Sequence, residues 1–200
     1  MSPEDVETLR GVRYRVSLPP ERAAGRRTLD ERLYVRFPVL YRLLAKAMMR
    51  LPTRSRLRGK LIVRVSARAV AAGNRRDFDV LLLGFDPRIE LRPLGDWAEA
   101  LDIPPVFYGH EGYRDVWRTM TEGFGDMWLD PEEVVDLGDY LLAMLTVRGH
   151  GSRSGVPLTL PLFQLFRFRD GLVVWQRDFA DRDSALEAVR RSEQDAHAYS

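Results

Sequence analysis

The 200-residue chain has no cysteine, which excludes disulfide staples, thiolate metal sites and cysteine nucleophiles while leaving the compartment open. Histidine is scarce as well: His110, His150 and His197 are the three present. No two of them have metal-ligand spacing, and no metal is expected. No apolar run approaches the roughly 20 residues that span a bilayer. The opening Met-Ser-Pro-Glu-Asp-Val-Glu is acidic and lacks the basic-then-apolar order of a secretory signal. Charged residues also follow Arg26-Arg27 where a twin-arginine signal needs an apolar stretch, so a cytoplasmic location is expected. The glycine-rich stretch 149–155 lacks the Gly-Lys-Ser/Thr ending of a phosphate loop and reads as a flexible turn.

With 45% hydrophobic and 30% charged residues, the composition is that of a soluble globular domain with a real core. The net charge of +2 hides an asymmetry. Residues 1–76 hold 19 Lys or Arg against 6 Asp or Glu, a net +13, whereas the remainder holds 12 against 23, a net −11. A basic front part suits anionic lipid, nucleic acid or the acidic remainder of its own chain. Nucleic acid is not expected, because the arginines lack a recognition fold.

Hydrophobic periodicity predicts a basic helical front. Thr28 is a candidate N-cap with Asp30 and Glu31 in the first turn. Leu29, Leu33, Phe37, Leu40, Tyr41, Leu44, Met48 and Leu51 then form one stripe, kinked or split at Pro38 and closed at Pro52. A second helix is expected from about Ser55 to Ala72, with a left-handed cap at Gly73-Asn74. Pro19, Pro20, Ala23 and Ala24 read as loop. After residue 76 come a short helix at Asp77 to Leu83, a strand near Arg88 to Arg92, a long connection from Leu94 to Pro105, a strand near Val106 to Tyr108 and a helix from Gly109. Long strands follow near 127–136, 140–148, 156–168 and 172–180, and Asp183 caps a last helix. Helices followed by a meander of strands indicate α+β.

The hairpin from Leu162 to Asp178 carries the most information. With a three-residue loop Arg169-Asp170-Gly171, Phe168 pairs with Leu172, and one face holds Leu162, Gln164, Phe166, Phe168, Leu172, Val174, Gln176 and Asp178. Two amides and a carboxyl among apolar residues are what a small-molecule site requires. A two-residue Asp170-Gly171 turn would instead rotate Asp178 to the other face. That other face carries Phe163, Leu165, Val173, Trp175 and Phe179 and needs a cover, either a second subunit, giving a homodimer, or the N-terminal helices.

The order Asn74-Arg75-Arg76-Asp77-Phe78-Asp79, Asp86-Pro87, Tyr108-Gly109-His110-Glu111-Gly112-Tyr113, Arg169-Asp170-Gly171-Leu172-Val173-Val174 and Asp181-Arg182-Asp183-Ser184-Ala185-Leu186-Glu187-Ala188 resembles SnoaL-like proteins of the nuclear transport factor 2-like superfamily over roughly residues 60–190. The resemblance implies a cone-shaped curved antiparallel sheet wrapped with helices, here a domain at 56–192 between a basic extension at 1–55 and a tail at 193–200. The superfamily includes cyclases, isomerases, hydrolases and noncatalytic binding proteins, so fold alone does not assign a reaction. By its spacing from the turn, Asp178 matches the acid or base of the polyketide cyclases. The catalytic aspartate, tyrosine and protonated aspartate of ketosteroid isomerases fall near Arg92, Ala69 and Gln164, and their mechanism is not carried over.

Asp178 is therefore the candidate acid or base, with a carboxylate paired to an arginine such as Arg92 as the structural alternative. Gln164 and Gln176 are candidates to bind a substrate carbonyl, or satisfy each other. Arg92 shares a strand face with Glu90, a candidate charged pair at the pocket mouth or a solvated surface. Phe166, Trp117, Trp128 and Tyr140, together with Phe107, are candidate pocket walls or plain core. The expected function is binding of a small hydrophobic, carbonyl-bearing molecule, with cofactor-free isomerisation or cyclisation by proton transfer as the candidate reaction. The alternative is a noncatalytic binding or dimeric scaffold module, with peripheral contact to an anionic membrane through the basic helices.

Overall fold

A computed structural model of the chain describes residues 11–18, 25–151 and 155–198, with side chains described as far as Arg191. The acidic start, Pro19, Pro20, Ala23, Ala24, the middle of the glycine-rich turn at 152–154, the end of the 193–200 tail and the side chain of His197 lie outside the described residues.

Capping chemistry divides the basic front. After strand β1 (Val12–Arg15), helix α1 (Leu29–Arg36) begins at Thr28, whose backbone N–H donates to Glu31 Oε2 at 2.8 Å, satisfying a donor that the first turn leaves free. Pro38 has no N–H to give, so the expected kink is a full break, and the proline opens α2 (Pro38–Met49) where no donor is required. Helix α3 (Arg56–Asn74) runs through Gly73 and Asn74, and the left-handed residue is Arg76 (φ 59°) rather than the expected Gly73-Asn74 cap. Asn74 instead exchanges two hydrogen bonds of 2.8 Å with the backbone of Leu129, which stitches the helix end to the sheet.

Helix α4 (Phe78–Leu81) leads into β2 (Phe85–Arg92). The connection after it contains a short helix that the sequence pattern does not reveal, α5 (Gly95–Ala100), before β3 (Phe107–Tyr108) and α6 (Gly109–Phe124). Strands β4 (Trp128–Asp136), β5 (Tyr140–His150), β6 (Pro157–Arg169) and β7 (Leu172–Phe179) form the meander, and α7 (Arg182–Ala198) follows. This last helix is capped by Asp181, whose Oδ1 accepts from the Ser184 N–H at 2.8 Å, rather than by Asp183. Among the described residues the curved, unclosed sheet has seven strands in the order β1-β4-β5-β6-β7-β2-β3. All pairs are antiparallel except β2 beside β7. β1, also unanticipated, pairs with the edge of β4 from Val12 opposite Asp136 to Arg15 opposite Glu133.

The β6–β7 hairpin departs from its expected register twice, and the second departure restores the facing that the first reverses, with Gln164 opposite Asp178 instead of Gln176. Asp170 (φ 53°) and Gly171 (φ 84°) form a two-residue turn, so Arg169 pairs with Leu172 and Phe168 with Val173. That register alone would turn Asp178 outward. Val174 is then skipped as a bulge, Arg167 faces Trp175, and Gln164 faces Asp178, which returns the polar residues to the inner face. Val173, assigned by the three-residue loop to the outer face, joins the interior core, whereas Leu172 takes the opposite face.

Part of the outer face is covered from within the chain. Ala185, Leu186 and Val189 of α7 pack on Val135, Leu142, Leu165 and Phe179, so a C-terminal helix covers this part of the face for which a second subunit or the N-terminal helices are expected. Those N-terminal helices sit over the hairpin tip instead. A Cβ on Gly171 would collide with the backbone of Ala45 and Lys46, and Lys46 Nζ pairs with Asp170 at 2.6 Å.

A buried ion pair secures this arrangement. Arg58 Nε and Nη2 meet Asp136 Oδ2 and Oδ1 at 2.7 and 2.8 Å, while Nη1 donates to the carbonyls of Met49 and Leu51 and Nη2 to that of Gly138. The substitution Arg58→Met strands the Asp136 charge, and the expected loss is about 3–5 kcal/mol of unfolding free energy. In urea denaturation the double variant Arg58→Met/Asp136→Leu recovers part of that loss. A single variant as stable as the parent would show that the pair does not hold the helices to the sheet.

Candidate active site

Alternation along β6 and β7 puts Gln164, Gln176 and Asp178 on the concave face, at the end of the hairpin away from its turn. Gln164 Nε2 donates to Asp178 Oδ1 at 3.0 Å and Gln176 Nε2 donates to the same oxygen at 2.9 Å. Gln176 Oε1 accepts from the hydroxyl of Tyr113, on α6, at 3.1 Å. The four side chains thus form one connected run, phenol to amide to carboxyl to amide. Asp178 and Gln176 are buried, and among the described residues no cation pairs with Asp178.

Burial pushes the Asp178 carboxyl up to about 6, against the two amide hydrogen bonds that favour its charged form. Burial, with the nearby Asp178 charge, raises the Tyr113 phenol well above the usual tyrosine range, so Tyr113 keeps its proton and Asp178 is the group that titrates near neutrality.

A cavity of about 100 Å³ lies inside the cone. Its walls are mainly apolar, with Phe85, Trp117, Phe166 and Phe168 among them, and its polar groups are Gln164, Tyr113, Ser66, Tyr41 and Arg68. Asp178 is one residue removed from that space. Gln164 and Tyr113 stand on the cavity wall, whereas Asp178 borders a more open crevice with Leu94, Arg177 and Phe179. The carboxyl reaches the cavity through the Gln164 amide and through the Gln176–Tyr113 pair.

Of the residues singled out from the sequence, the fold brings together Asp178, Gln164 and Gln176, and lines the cavity with Phe166 and Trp117. Four stand elsewhere, among them Phe107, which pairs with Leu91 and packs against the interior core off the cavity wall. Arg92 is exposed and pairs with Glu90 at 2.7 Å; Trp128 donates from Nε1 to Asp130 at 2.9 Å; Tyr140 packs with the outer core, the Arg167 guanidinium 6.0 Å from its ring centre. Tyr113, Tyr41 and Arg68 are not selected by the sequence pattern. Arg68 nevertheless leaves a signal: it stands three residues after Val65 and four before Ala72 on the apolar stripe of α3, where a charge is out of place. Among the described residues no three His, Cys, Asp or Glu side chains converge as metal ligands.

Sheet order, enclosing helices and interior cavity define an α+β cone of the nuclear transport factor 2-like class. Residues 67–176 match the SnoaL-like domain family, and the chain belongs to that family. Among solved structures it is similar to a nuclear transport factor 2-like protein of unknown function from Burkholderia pseudomallei, at 22% identity over 64% of this chain and 93% of that one, TM-score 0.54. TerC, co-crystallised with polyporic acid, shares 22% identity over 62% and 95%, TM-score 0.53. IdmH of Streptomyces antibioticus, a proposed polyketide cyclase, shares 24% over 63% and 96%, TM-score 0.50. Likeness at this level establishes the fold alone. No curated protein matches the chain in sequence.

The raised Asp178 carboxyl makes stability depend on pH with a definite sign. A carboxyl whose folded value lies above its unfolded value of 3.8 contributes stability that is full below about pH 4 and lost as pH rises through about 6. The difference corresponds to about 3 kcal/mol. Asp178→Asn keeps an acceptor oxygen for both amides and removes the titration. Denaturation at a series of pH values is expected to show wild type losing stability relative to Asp178→Asn between pH 4 and 6; parallel curves would mean the carboxyl is not perturbed.

Proposed function

We propose that the cone binds a small hydrophobic, carbonyl-bearing molecule and that Asp178 moves a proton on it in a cofactor-free isomerisation or cyclisation. One observation carries this reading: a buried carboxyl, separated from an apolar cavity by the Gln164 side chain, is held among the described residues by two neutral amides and not by an arginine. An ion pair would lower its affinity for protons, whereas amides orient it and leave it close to the affinity that proton transfer at neutral pH requires. The second N–H of the Gln164 amide, on the cavity wall, is placed to position a ligand carbonyl and to stabilise a developing oxyanion, whereas the Tyr113 hydroxyl gives its proton to Gln176. SnoaL-like relatives proposed to be polyketide cyclases, and TerC with polyporic acid, support a ligand of this class.

A cavity of about 100 Å³ is smaller than the roughly 150 Å³ that accommodates benzene in an engineered core. A ring-sized ligand therefore enters only as wall side chains move. Exchange of α-protons of small cyclic ketones in deuterium oxide, followed by NMR, tests the reaction class. Asp178→Asn is expected to slow exchange about 10²- to 10⁴-fold, and an unchanged rate removes Asp178 from the chemistry.

A second reading concerns the basic helices. The expected stripe does not pack inward as a whole: Tyr41, Ala45 and Met48 are buried, while Leu29, Phe37, Val39 and Leu43 are each more than half exposed, with Leu33, Leu40 and Leu44 beside them. Arg32, Arg36, Arg42 and Arg50 are exposed on the same two helices or at their ends. The acidic Asp30 and Glu31 are already paired with Arg64 and Arg75. An apolar surface ringed by exposed cations fits an anionic bilayer interface. Among the described residues no helix is long and apolar enough to cross a membrane, so the contact is peripheral. Co-sedimentation with phosphatidylglycerol vesicles at low salt, weakened in Phe37→Glu/Leu43→Glu and absent with phosphatidylcholine, is the expected result. No binding to either vesicle would discard this reading.

A further inference from the structure

The cavity contains a cation that the proton-transfer reading does not use. Arg68 is 5% exposed and lies on the cavity wall. Its guanidinium carbon is 5.2 Å from the ring centre of Tyr34 and 4.8 Å from that of Tyr41, and the Tyr41 hydroxyl is also beside it. Among the described residues no carboxylate pairs with it, although the neighbouring Arg58, Arg64 and Arg75 all have one. A buried guanidinium without a counter-charge is costly, and aromatic faces offset only part of that cost. Arginine also cannot escape by losing its proton. Two ring faces and one hydroxyl do not use all five N–H donors of a guanidinium, and a planar fork of donors matches the two oxygens of a carboxylate or an acidic enol.

We infer that the cavity selects a ring-sized organic acid, a carboxylate or acidic enol whose anionic group is received by Arg68 while its ring meets Phe85, Trp117 and Phe166. This rests on the reading of the cone as a small-molecule site and adds the charge of the molecule to it. Tyr41 belongs to α2, so the basic front contributes directly to selection through the residue that orients Arg68.

Titration of the full chain with benzoate and with its neutral isostere benzamide, by calorimetry, tests the inference. Benzoate is expected to bind at least about tenfold more tightly than benzamide, the margin of one charge-assisted hydrogen-bonded pair. Arg68→Met is expected to abolish that margin with benzamide affinity unchanged, and Arg68→Lys to restore part of it. If the variants fail to fold, the Arg68 Nε–H resonance of the wild-type protein decides instead: a shift with benzoate and none with benzamide is expected, and no shift with benzoate overturns the inference. Equal affinities, or a preference that survives in Arg68→Met, overturn the inference and leave the cavity reading standing. Binding of neither probe up to millimolar concentration overturns both.

Discussion

The guanidinium of Arg58, sealed from water, is bonded at once to the Asp136 carboxylate, to two carbonyls at and beyond the end of α2 and to the turn after β4. Three separate pieces of chain therefore share one charge pair. Without its partner either ion would be left in the interior, so these pieces cannot part without a large penalty. This constraint sets the height at which α2 and α3 cross the open end of the sheet. It consequently sets where Tyr41 and Arg68 stand on the cavity wall. The tip of the β6–β7 hairpin is held against the same helix, because Gly171 has no Cβ to keep the α2 backbone away.

Two buried carboxyls face opposite requirements. Asp136 is matched by an arginine and is structural. Asp178 is matched, among the described residues, by amides alone, which hold its geometry without fixing its charge, and burial therefore raises its affinity for protons. Arg68 is the converse, a permanent charge placed against ring faces. A cone with a titratable carboxyl behind one wall and a fixed cation on another is electrostatically polarised across a small apolar volume, where such fields are little screened.

The periodic parts of the chain are legible in its sequence. The strands of the meander, α3, α6 and the break at Pro38 follow from apolar spacing and from what proline cannot do. β1 and α5 are not legible, because four alternating residues and a six-residue turn are too short to produce a period. The hairpin register is more instructive. Its polar face follows correctly from a three-residue loop that the protein does not have, since a two-residue turn and a bulge at Val174 together preserve parity. Two one-residue shifts in the same direction leave the alternation downstream of them unchanged, although they move the partner of Gln164 from Gln176 to Asp178.

Of the site, Asp178, Gln164 and Gln176 are recognisable because polar residues on a buried strand face contradict their surroundings. Tyr113 reads as core in any helical pattern, and Arg68 as a charge out of place on an apolar stripe, with nothing in the pattern to say what it meets. Their roles arise only when α6 and α3 close over the sheet. The sequence by itself determined which faces are apolar and which polar residues interrupt them, since side-chain periodicity is a local property of helix and strand. Only the tertiary structure decided that one buried carboxyl meets an arginine and another meets amides, and that the charge of Arg68 stands at a cavity. Those choices depend on which distant elements pack together, and the free energy of a charge is set by its neighbours in space rather than along the chain.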